Sequence, residues 1–90
     1  MEKNKALVID DEQIVVDSVS KILRDENYEV DVSISGREGL NQAVQKEYAI
    51  VLTDIRMPDI GGMRVLRDVK RAKPSLSVIT GYVEIGSNLY

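Results

Sequence analysis

The chain has 90 residues, a net charge of −3, and neither cysteine nor histidine. Those absences exclude disulfides, thiolate or imidazole metal ligands and the commonest general base, so any metal chemistry must use oxygen ligands, which suit magnesium, calcium or manganese. Hydrophobic residues make up 43% and charged residues 30%, as in an ordinary small soluble domain. No apolar run nears the roughly 20 residues of a membrane span, no signal peptide precedes the first strand, and the acidic balance argues against a nucleic-acid surface.

Residues 5–10 read as the first strand. Ala6-Leu7-Val8-Ile9 is a continuous apolar run ending on Asp10-Asp11, which fits a strand buried on both faces of a parallel sheet. From Glu12 the period changes. Val15, Val19, Ile22 and Leu23 fall at i, i+4, i+7 and i+8, one face of a helix running to about Glu26. Asp11 is placed to cap that helix and Asn27 to stop it. Val30, Val32 and Ile34 alternate with Asp31 and Ser33, the pattern of a half-exposed edge strand. Ser35-Gly36-Arg37-Glu38 matches a capping box. The helix after it carries Leu40, Ala43 and Val44 on one face and is expected to end near Glu47.

Ala49-Ile50-Val51-Leu52-Thr53-Asp54 reads as the central strand, and Met57-Pro58 then turns the backbone out of regular structure. Gly61-Gly62 precedes a third helix with Met63, Leu66, Val69 and Ala72 expected inward, and Pro74 ends it. Ser77-Val78-Ile79-Thr80 is a short last strand, and residues 83–90 form an irregular tail. The alternation predicts an α/β domain spanning residues 1–90, with a parallel sheet, right-handed crossovers and helices on both faces.

Such a sheet brings Asp10, Asp11 and Asp54 to the carboxyl end of neighbouring strands, where open α/β sheets place their ligands. Asp and Asn also favour turns and caps, so an incidental acidic rim is the alternative. Three close carboxylates repel one another, and a fold tolerates that more readily when a divalent cation neutralises them. Magnesium takes carboxylate, phosphate and water oxygens, and a carboxylate beside it can accept a phosphoryl group. The composition therefore favours a magnesium–phosphate site. Thr80 ends the last strand at the same sheet edge, where its hydroxyl could donate to a phosphoryl oxygen.

Taken together, Leu7-Val8-Ile9-Asp10-Asp11-Glu12, Leu52-Thr53-Asp54-Ile55-Arg56-Met57-Pro58 with Gly62-Met63, and Val78-Ile79-Thr80-Gly81-Tyr82 resemble the receiver domain of two-component response regulators. The last motif has the form seen in regulators of sigma-54-dependent transcription. The resemblance implies a flavodoxin-like, doubly wound sheet of order 2-1-3-4, with the family's fifth strand and helix missing or replaced. It implies Asp54 as phosphoacceptor and Thr80 as switch hydroxyl. It also implies magnesium held by Asp54, by Asp11 directly, by Asp10 largely through water, and by the backbone carbonyl of Arg56. The implied donor is a histidine kinase or a small molecule such as acetyl phosphate. The implied protein is cytoplasmic, and its chemistry is limited to phosphorylation and slow autodephosphorylation at Asp54.

The sequence departs from that family after Thr80. The family's lysine at the end of a fifth strand has no counterpart among the ten residues that follow, and Lys70 and Lys73 lie in or just after the third helix. The span from Asp54 to Thr80 is about two residues short of the pattern, an even number that keeps the faces of the last strand in sense. An unpaired edge and an uncovered sheet face would result. Three explanations stay open: a tail that folds back, a homodimer or higher oligomer joined through the uncovered edge or face, or a piece of a longer receiver. The rival functional reading is a receiver-like interaction module that works without phosphate. An aspartyl-phosphate phosphohydrolase is disfavoured, because Ile55-Arg56 supplies no second aspartate after Asp54.

Overall fold

The computed structural model describes residues 4–81. Four strands, β1 (Asn4–Ile9), β2 (Tyr28–Ser33), β3 (Ile50–Thr53) and β4 (Ser77–Thr80), alternate with three helices, α1 (Gln13–Asp25), α2 (Gly36–Gln45) and α3 (Gly62–Ala72). All strand pairs are parallel, as the alternation predicts, and the order is β2-β1-β3-β4, as the resemblance implies. β1 is central, and Ala6, Leu7, Val8 and Ile9 are completely buried. That is why the run carries no polar alternation. β2 lies at the edge, as its alternation predicts. The expected tail falls outside the described residues.

Strand register sorts the side chains into two faces, because paired residues of a parallel sheet share a face. Leu7 pairs with Asp31 and Val51, Ile9 with Ser33 and Thr53, and Val51 with Val78. This face meets α2 and α3, and its core joins Leu7, Ile9, Val51, Ala43, Tyr48, Ile60, Val65, Val69 and Leu76. Tyr48 also reaches across to β2, where its hydroxyl donates to Asp31 Oδ2 at 2.7 Å. Burial and the neighbouring Asp31 carboxylate push the Tyr48 phenol well above its ordinary range. The opposite face carries Ala6, Val8, Val30, Val32, Ile50, Leu52 and Ile79, and α1 lies over its β1–β2 half. Val32 and Ile79 are each 41% exposed.

The helices meet the sheet along lines that differ from the expected stripes. In α1 the buried residues are Val16 and Ser20, while Val15, Val19 and Leu23 are half-buried and Ile22 is 63% exposed. Of the expected stripe, only Ile22 is exposed. In α3, Val65 and Val69 are buried one turn apart and Leu66 is half-buried, whereas Met63 is 58% exposed and Ala72 is exposed. Val65 therefore belongs to the inner line in place of Met63 and Ala72. α2 ends at Gln45, earlier than expected, and Val44 is exposed; glycine makes its closest approach to the sheet. A Cβ on Gly39 would lie 2.6 Å from Ile9 Cδ1. Asn27 does end α1, with φ 69° and its N–H on the Arg24 carbonyl at 3.0 Å.

Candidate functional site

Three backbone hydrogen bonds fix the carboxyl edge of the sheet. Asp10 N–H donates to the Ser33 carbonyl at 3.0 Å, Asp54 N–H to Ile9 at 3.0 Å, and Gly81 N–H to Thr53 at 3.1 Å. Each bond lies just past a strand end, so Asp10 and Asp54 have main chains held by the sheet. One carboxylate oxygen from each of Asp10, Asp11 and Asp54 lies within 4.8 Å of the others. Asp10 is buried, Asp54 half-buried and Asp11 exposed, so the cluster opens to solvent on one side.

Local hydrogen bonds orient two of these groups. Asp10 Oδ1 accepts the Glu12 N–H at 2.9 Å, and Asp54 Oδ1 accepts the Ile55 N–H at 2.8 Å. Asp11 was expected to cap α1. The N-cap is Glu12, which makes no side-chain cap bond, and the carboxylate that holds this turn is Asp10. Asp11 projects into solvent instead, which leaves it free of a capping role. Thr80 pairs with Thr53, so it ends the neighbouring strand one residue short of the level of Asp54, and it is half-buried. Arg56 lies two residues past Asp54 with its side chain exposed, so only its main chain faces the question of ligation.

Carboxylates this close repel one another, and three hard oxygen donors with an open side suit a divalent cation that keeps water or phosphate in its remaining positions. The residues therefore fit magnesium: Asp10, Asp11 and Asp54 could hold it.

Asp59, in the loop after Asp54, supports this edge without any signal in the sequence pattern. Ser35 accepts the Glu38 N–H at 3.3 Å, which is one half of the expected capping box. The return bond from Glu38 is replaced: Ser35 N–H donates to Ser33 Oγ at 3.2 Å. The remaining N–H groups of the first turn of α2 go to Asp59, which accepts from Gly36 N at 3.2 Å, Arg37 N at 2.8 Å and Ser35 Oγ at 2.9 Å. The Arg37 N–H first, and then that of Ile60, hold the Asp59 carboxyl far below the usual carboxylate range. These partners lie 22 to 24 residues away in sequence, so no local pattern signals them. Gly62, just before α3, serves close approach. A Cβ there would lie 2.0 Å from the Asp54 carbonyl oxygen.

A family model of the response regulator receiver domain matches residues 6–84. Response regulator ArlR of Staphylococcus saprophyticus is 31% identical over 75 residues, which cover 83% of this chain and 34% of that protein. Response regulator TrrA of Thermotoga maritima, solved in complex with Mg2+–BeF, superposes with a TM-score of 0.83 at 32% identity, covering 96% of this chain and 76% of that one. A complex of the histidine kinase ThkA with TrrA gives a TM-score of 0.80 at 31% identity, covering 86% of this chain and 66% of that one. The chain spans about a third of the length of the curated relatives it matches. No helix of the described residues is long and apolar enough to cross a membrane. With the parallel 2-1-3-4 sheet and its three edge aspartates, the match over residues 6–84 settles the family: the chain belongs to the response regulator receiver domains of two-component signalling.

Proposed function

We propose that this domain accepts a phosphoryl group on Asp54 from a histidine kinase, in the cytoplasm, with magnesium at the acidic edge. The observation that carries the reading is the meeting of Asp10, Asp11 and Asp54 within 4.8 Å at the carboxyl edge of the sheet, in a chain of the receiver family. The TrrA complexes with Mg2+–BeF and with ThkA support it by similarity.

In this reading an Asp54 carboxylate oxygen attacks the phosphorus of a phosphohistidine. An O–P bond forms, the P–N bond breaks, and the leaving imidazole takes up a proton. Bound magnesium would supply charge neutralisation on the phosphoryl oxygens. Asp10 and Asp11 would bind the ion, with the Arg56 carbonyl as a further oxygen. The bond from Ile55 N–H to Asp54 Oδ1 keeps one oxygen turned inward and leaves the other to react. Thr80 would donate its hydroxyl to the transferred group and report its arrival. The phosphoryl group would be lost by slow hydrolysis, so the domain signals and does not turn over a substrate. Any transcriptional output would be exerted outside these residues.

Incubation with magnesium and acetyl phosphate, read by intact mass, tests the reading. One added phosphoryl group is expected, absent in Asp54→Ala. An unmodified wild-type chain that also fails to bind magnesium would overturn it and favour a phosphate-independent interaction module.

A further inference from the structure

A chain of bonds runs round the acidic edge and closes on itself. Asp10 N–H donates to the Ser33 carbonyl at 3.0 Å. Ser33 Oγ donates to the Ser35 carbonyl at 2.8 Å, and Ser35 Oγ to Asp59 Oδ2 at 2.9 Å. Asp59 belongs to the loop of residues 55–61 that begins at Asp54, and Asp54 N–H returns to Ile9, the neighbour of Asp10, at 3.0 Å. The loop is braced at both ends. At α3, Gly62 N–H donates to Ile55 at 2.9 Å, and the missing Cβ of Gly62 lets the helix press on the Asp54 carbonyl. At α2, Gly36 is equally tight, since a Cβ there would lie 2.7 Å from the Ile60 carbonyl oxygen. Ile60 itself is buried in the core.

We propose that Asp59 is a positioning residue for Asp54: its carboxylate fastens the loop to the first turn of α2, closes the ring, and so holds in place the loop whose Ile55 N–H orients the Asp54 carboxylate. Asp59 ligates nothing and touches no phosphoryl group. It acts on magnesium binding and phosphoryl acceptance through the loop, and it rests on the reading of the site given above. The link to α2 also means that a displacement of the loop is felt at α2, five residues of chain from Asp54 to Asp59 being the connection.

The test compares the wild-type chain with Asp59→Ala, Asp59→Asn and Ser35→Ala. Calorimetry would read magnesium affinity, acetyl phosphate would read the rate of acceptance, and hydrogen exchange would read the amides of residues 55–62. Loss of a group that orients ligands commonly weakens metal binding by 10- to 100-fold, so Asp59→Ala is expected to lose about tenfold in magnesium affinity and in rate, with faster exchange in the loop. Asp59→Asn keeps an oxygen for the Arg37 N–H and is expected to stay within about threefold of wild type, a rescue by the side chain that keeps the acceptor. If Asp59→Ala does not fold, Ser35→Ala decides, with an expected loss of about threefold from one missing link in the ring. Affinity and rate within twofold of wild type, in whichever of the two alanine variants folds, would overturn the role of Asp59 while leaving the phosphoryl-accepting site intact. A wild-type chain that binds no magnesium and takes up no phosphoryl group would instead overturn the site itself, and the positioning role with it.

Discussion

The two faces of the sheet share four strands and differ in what lies over them. One face is sealed by α2 and α3 around Leu7, Ile9 and Val51. The other has α1 over β1 and β2 only, and Ile79 is left 41% exposed. The sealed face carries the loop that frames Asp54, so the residues proposed to do the chemistry rest on the better-packed half of the molecule. The other face keeps apolar side chains in water, as does the Ile22 flank of α1. The contrast teaches that the site does not need the open face to be covered in order to be assembled.

The sharpest way to break this contrast is to remove one apolar side chain from each face. Leu7→Ala on the sealed face is expected to cost about 3 kcal/mol in urea unfolding, whereas Ile79→Ala on the open face should cost less than about 1 kcal/mol. Equal losses would mean that the open face is covered in solution. Gly62→Ala comes next. Its new Cβ meets the Asp54 carbonyl, so a loss of about 2 kcal/mol is expected from overpacking, together with a fall in phosphoryl acceptance at Asp54 that intact mass would read.

Tyr48→Phe removes a bond to a carboxylate on the sealed face, and about 1.5 kcal/mol should be lost between pH 6 and pH 9. The sign follows from the raised phenol. Its contribution is fully present below the ordinary value of 10.0 and is lost as pH rises through the higher folded value. On the alkaline side, wild type and Tyr48→Phe should therefore converge only in strong base. Smallest is Ser20→Ala beneath α1. Ser20 Oγ is buried without a hydrogen-bond partner among the described residues, so its removal is expected to be neutral or to stabilise by up to about 1 kcal/mol, read by thermal unfolding.

Much of this was legible because the decisive signals are local. The unbroken run Ala6-Leu7-Val8-Ile9 announces a strand buried on both sides, and the alternation from Val30 to Ile34 announces an edge. The acidic cluster followed from strand order alone. What the sequence hid depends on contacts distant along the chain. The apolar flank at Val15, Val19 and Ile22 has the right period for a helix but does not say which neighbour it serves. Val16 and Ser20 face the sheet because of where α1 sits, and the period alone does not set that. Asp59 follows Pro58 as an ordinary turn residue would, and only the fold shows that its carboxylate holds a helix begun 23 residues earlier, at Gly36.

The register of β4 has a consequence for how such a domain can change its length. Thr53 and Thr80 stand opposite each other at the ends of their strands. The turns before β3 and β4 lie at the end of the sheet away from the aspartates, so residues can be lost or gained there without moving the acidic edge. One residue inserted within β1 or β3 would instead turn the side chains beyond it to the opposite face and dismantle the cluster. Variation in chain length is thus permitted in the turns at one end of the sheet and forbidden within its strands.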